Sequence, residues 1–125
     1  MEKEKYHIPS IVSEIDEILE DISKVANESS LGSDFSHFIS YSRGIFWICL
    51  IRKKTLGNLA RKLTIQYDSG ISDSIKIRYF VSGELTERIL DLNQKSWKKD
   101  LEILSMFWVS DLSLEKKIET ENENW

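Results

Sequence analysis

The longest apolar run in this chain is Gly44-Ile45-Phe46-Trp47-Ile48-Cys49-Leu50-Ile51. Two later segments, Leu63-Thr64-Ile65-Gln66-Tyr67 and Ile75-Lys76-Ile77-Arg78-Tyr79, alternate apolar and polar residues. Alternation is the period of a pleated strand, with one row of side chains in a core and the other facing water or a partner. The apolar run is rich in β-branched and aromatic residues, which suits a strand, and it is far too short to span a membrane. A sheet therefore organises the chain.

Glycine spacing supports a meander. The five glycines, Gly32, Gly44, Gly57, Gly70 and Gly83, stand 12, 13, 13 and 13 residues apart. A strand of about eight residues plus a short turn gives roughly that pitch. Strands are predicted at Ser33–Arg43, Ile45–Lys54, around Leu63–Tyr67 and at Ser74–Val81. The first is ambiguous alone: Phe35, Phe38 and Ile39 have helical spacing, whereas His37, Ile39 and Tyr41 have strand spacing. The glycine pitch decides for strand. A two-residue turn at Gly57-Asn58 would set Leu50 opposite Ile65 and Ile51 opposite Thr64.

The strands are flanked by helical patterns. Ile8, Ile11, Ile15, Ile18, Ile22 and Val25 recur at alternating steps of three and four, with Glu14, Glu17, Asp21, Lys24 and Glu28 on the other side. This predicts an amphipathic helix from Pro9 to Glu28, packed on the sheet. After Gly83, the positions of Leu85, Ile89, Trp97, Leu101, Leu104 and Trp108 fit helical steps, with Asn93 as an interruption. Helix is predicted from Glu84 to Trp108, then a short one capped at Ser110-Asp111 and ending at Ile118. The expected architecture is α+β: a helix, a four-stranded antiparallel meander, then one or two helices. One domain covers residues 1–118, and 119–125 form a polar tail. In topology alone this order resembles cystatin-like and double-stranded-RNA-binding domains. The latter enter their last helix through a Lys-rich segment, where this chain has the acidic Gly83-Glu84-Leu85-Thr86-Glu87.

The net charge of −4 is unevenly distributed. Residues 1–34 carry 9 acids and 3 bases, residues 35–80 carry 2 acids and 8 bases, and residues 81–125 carry 10 acids and 6 bases. The predicted sheet is basic and its flanks are acidic. An acidic protein has no general attraction to nucleic acid, so internal balance is the simpler account of that contrast.

Signals for chemistry are sparse. Two histidines, His7 and His37, and a single cysteine give no zinc-ligand spacing. Neither a Gly-x-Ser-x-Gly nor a phosphate-cradling Gly-rich loop occurs. No cofactor or metal is expected, and an enzyme ranks below a binding protein. Cys49, inside the apolar run, reads as inert packing. One cysteine and no secretory leader predict a cytoplasmic protein.

The second sheet face is the candidate site. It combines Trp47 and Phe80 with Lys53, Lys62, Lys76 and Arg78. Aromatic anchors ringed by charge describe a protein contact, with a partner or a second copy as homodimer. The same mixture suits an anionic ligand or single-stranded nucleic acid, which ranks second.

Overall fold

The computed structural model describes residues 8–28, 35–52, 61–71, 73–81 and 84–123; of 80, 81 and 111–123 it describes the backbone. The elements in order are α1 (Ser10–Asn27), β1 (Phe35–Ser42), β2 (Ile45–Arg52), β3 (Arg61–Asp68), β4 (Ser74–Val81), β5 (Glu84–Asp91) and α2 (Trp97–Glu123). The fold is α+β, with five antiparallel strands in the order β1-β2-β3-β4-β5.

The fifth strand corrects the helix predicted from Glu84. Leu85 and Ile89 are four residues apart, a spacing that fits a helical face and also one face of a strand. Most side chains of this edge strand are exposed, so burial imposes no clean alternation on its sequence. The strand ends at Asp91, whose carboxylate accepts from the Asn93 N–H at 2.8 Å. The interruption at Asn93 is thus a turn between strand and helix. The predicted break at Ser110-Asp111 is absent, and α2 runs on to Glu123.

The hairpin β1–β2 closes through Arg43 and Gly44, at φ 55° and 85°. Two successive positive φ values give the type I′ turn whose twist matches the strands it joins. The Gly44 carbonyl accepts from the Ser69 N–H at 3.0 Å and its hydroxyl at 2.9 Å, which ties this turn to the β3–β4 turn. Between β2 and β3, Phe46 faces Tyr67, Ile48 faces Ile65 and Leu50 faces Leu63. That is a two-residue correction to the predicted pairing, in which Leu50 faced Ile65. The chain from 53 to 60, with the predicted Gly57-Asn58 turn, lies outside the described residues. A shift of two leaves each side chain on its predicted face.

One face of the sheet carries the core. Ile48, Leu50, Leu63, Ile65 and Ile77 are fully buried there against Val12, Ile15 and Leu19 of α1 and Leu101 and Trp108 of α2. Each such aliphatic side chain contributes roughly 1.5–3 kcal/mol relative to exposure. The predicted stripe on α1 is therefore a core face. The helix starts on the Pro9 carbonyl, which accepts from Val12 at 3.0 Å and Ser13 at 3.3 Å.

Contacts at two levels orient the helices. Near the start of each, Lys98 Nζ meets Glu14 Oε1 at 2.7 Å. Further along, Trp108 stands edge-on to Phe35, with ring centroids 6.2 Å apart, and the Asn27 amide at the end of α1 bonds the Phe35 backbone. The helices thus run in the same direction across one face.

Candidate functional site

Both helices lie on the same side, so the other sheet face has no cover among the described residues. Strand alternation decides what it presents. On β2 these are Ile45, Trp47, Cys49 and Ile51, the residues between the buried Phe46, Ile48 and Leu50. Through the register, Trp47 lies opposite Ser40 and Gln66, and Cys49 opposite Phe38 and Thr64. Thr64 faces Arg78, and Gln66 faces Lys76. Arg78 faces Glu87, and Lys76 faces Ile89.

The structure therefore brings Trp47, Lys62, Lys76 and Arg78 onto one surface. Phe80 pairs with Leu85 in the β4–β5 ladder, and Lys53 lies outside the described residues. Lys62 is exposed, while Trp47 and Lys76 are half-buried.

Three contributions to this face were not legible in the sequence. Phe38 is 40% exposed beside Cys49. On the far side, Leu85 is 49% exposed and Ile89 is 69% exposed. The last two were hidden by reading their segment as helix, although Leu85, Glu87, Ile89 and Asp91 occupy alternate positions.

The fifth strand also changes the electrostatics. Arg78 Nε holds Glu87 Oε2 at 2.9 Å across β4 and β5. Alternation places Asp91 at one end of β5 and Asp68 at the matching end of β3 on this face. Arg52 and Arg61 pair with each other on the helix-covered face, where Arg52 is buried. The described cations of the open face, Lys62, Lys76 and Arg78, are thus matched in number by Asp68, Glu87 and Asp91. The basic block read from residues 35–80 does not become a basic surface here.

Cys49 is 3% exposed although its side chain points to the uncovered face. Phe38 and Thr64 stand opposite it on the adjoining strands. Burial pushes its thiol above the ordinary range, against the lowering effects of a hydrogen bond with Thr64 and of the Lys62 charge. That favours the neutral thiol, which is a poor nucleophile. His37 faces the helices, and its Nδ1 stands 2.8 Å from Asp16 Oδ1, an arrangement that joins β1 to α1.

Among the described residues, no group of three His, Cys, Asp or Glu side chains could hold a metal ion. A shallow depression of about 200 Å³ lies between Lys76 and Ile89. Cavities for drug-sized ligands usually start at about 300 Å³. No described helix is long and apolar enough to cross a membrane.

No family model matches this chain, and no curated protein or solved structure matches it either. The functional reading rests on the face itself.

Proposed function

We propose that this chain is a small non-enzymatic protein-binding module whose open sheet face meets a protein surface, a second copy of the chain being the first such surface. The observation that carries this reading is the composition of that face. Exposed Phe38, Leu85 and Ile89 flank a centre of both charge signs. Aromatic and aliphatic anchors bordered by paired charge form protein contacts, whereas polynucleotides select a surplus of cations.

The face is large enough. Five strands of eight residues cover about 24 by 27 Å. Two such faces bury roughly 1,300 Å² together, within the range of specific interfaces. A twofold axis along the strands lays β1 and β2 of one copy over β5 and β4 of the other. Trp47 then approaches Lys76 and Arg78, a cation–π pairing. The setting we propose is cytoplasmic, in line with a single cysteine that burial keeps as a thiol.

Sedimentation of the full chain tests the reading. A dimer should form at micromolar concentration, persist with added salt, and weaken at least tenfold in Trp47→Ala with the melting temperature nearly unchanged. A chain that stays monomeric at high concentration overturns the self-association. Tight, steeply salt-dependent binding to an unrelated oligonucleotide would instead support the anionic-ligand reading.

A further inference from the structure

A second surface, independent of the open face, is the outer edge of β1. We propose that this edge accepts an extended, basic segment of a partner protein as a sixth strand.

The hairpin turn fixes which backbone groups face outward. A two-residue turn makes its flanking residues, here Ser42 and Ile45, a hydrogen-bonded pair. Alternation then directs the N–H and C=O groups of Ser36, Phe38, Ser40 and Ser42 toward β2, and those of Phe35, His37 and Ile39 away from it. The Asn27 side chain agrees with this. Its amide nitrogen donates to the Phe35 carbonyl at 3.0 Å, and its oxygen accepts from the Phe35 N–H at 2.9 Å. Those are the two bonds a residue of a neighbouring strand would make. Asn27 thus fills one position of a strand that is otherwise missing among the described residues. Among the described residues, nothing bonds the outward groups of His37 and Ile39.

The two edges of the sheet differ in how they resist pairing. β5 carries Glu84, Glu87, Arg88 and Asp91, and charge of this kind discourages strand addition. β1 reads Phe-Ser-His-Phe-Ile-Ser-Tyr-Ser, with no Lys, Arg, Asp, Glu or Pro. Its histidine is already held by Asp16.

Charge selects the occupant. Asp16 and Asn27 both touch β1, so their flank of α1 leans over this edge. Glu20 follows Asp16 by one turn on the same flank. Over the described residues, α1 and its flanks carry Asp16, Glu17, Glu20, Asp21 and Glu28 against Lys24 alone, with Glu14 held by Lys98 of α2. On the other side of the sheet, an added strand would lie beside the exposed Phe38. The fitting segment alternates basic side chains toward α1 with apolar ones beside Phe38, and lacks proline. A second β1 fits worse, because it would bring another acidic α1 against this one.

Amide hydrogen exchange of the full chain, with a capped hexapeptide of alternating lysine and valine, tests the proposal. Without peptide, the His37 and Ile39 amides should exchange quickly and those of Phe38 and Ser40 slowly. Peptide should slow His37 and Ile39 at least tenfold and leave Leu85 and Glu87 of β5 unchanged. A glutamate–valine counterpart should bind at least tenfold more weakly, and the double substitution Asp16→Lys, Glu20→Lys should reverse that preference. No protection at millimolar peptide overturns the proposal, as does protection confined to β5. Protection of β1 that rises with protein concentration alone also overturns it, by showing a second copy at the edge.

Discussion

The two faces of the sheet are built from similar apolar residues and treated oppositely. On the helix side, Ile48, Leu50, Leu63, Ile65 and Ile77 are at most 0% exposed; on the open side, Leu85 and Ile89 reach 49% and 69%. The covered face gains its burial from partners brought by both ends of the chain. The open face has apolar side chains that the isolated fold leaves in water. Burial within the chain accounts for the first set and not for the second, so the second is where an external surface gains most.

The largest effect should come from placing the same charge on each face. Ile15→Asp puts an unpaired carboxylate into the core and should cost at least about 4 kcal/mol, enough to unfold many domains of this size. Ile89→Asp should change stability by no more than about 0.5 kcal/mol. Thermal melts that shift equally in the two variants would erase the distinction between the faces.

Cys49 sharpens the contrast, since it lies on the open face with the burial of the covered one. Its labelling by a thiol reagent at neutral pH should be at least about tenfold slower in the folded chain than in urea, because thiolate is scarce and access is closed. A raised thiol pKa means that the rate should keep climbing with pH beyond the ordinary thiol range. Equal rates in folded and unfolded chains would mean that the thiol is open to the reagent in the fold.

A smaller effect concerns Ser105 of α2, on the covered side of the sheet. Its hydroxyl is fully buried and has no hydrogen-bond partner among the described residues. Removing it in Ser105→Ala should stabilise the chain by about 1 kcal/mol in urea unfolding, since an unsatisfied buried hydroxyl costs about that much. A loss of stability would reveal a partner for the hydroxyl.

How legible each element was in the sequence follows from how many faces it buries. α1 buries one stripe, so Ile15, Leu19 and Ile22 announce it through spacing alone. β3 and β4 bury one row each, so Lys62, Lys76 and Arg78 could be assigned together to the other. β5 buries little, and Leu85 and Ile89 lack the contrast that separates a period of two from one of 3.6. Missing β5 hid Glu87 and Asp91, and with them the charge balance of the candidate site. The predicted β2–β3 register is two residues off because it is counted from a turn at Gly57-Asn58, a segment outside the described residues.

The strand order has a consequence for synthesis on the ribosome. Every strand pairs with its neighbour in sequence, so the sheet needs no residue beyond Asp91. The covering residues Leu101, Trp108 and Val109 follow the sheet in sequence. While they are still in the exit tunnel, a formed meander would show apolar side chains on both sides, with only α1 to shield one. The nascent chain is then at its stickiest before α2 emerges, the interval in which chaperones bind exposed apolar surface. A free chain truncated after Leu92 should bind a hydrophobic dye strongly, and the chain that includes α2 should lose most of that signal; a truncated chain no brighter than the longer one would show that the sheet waits for α2.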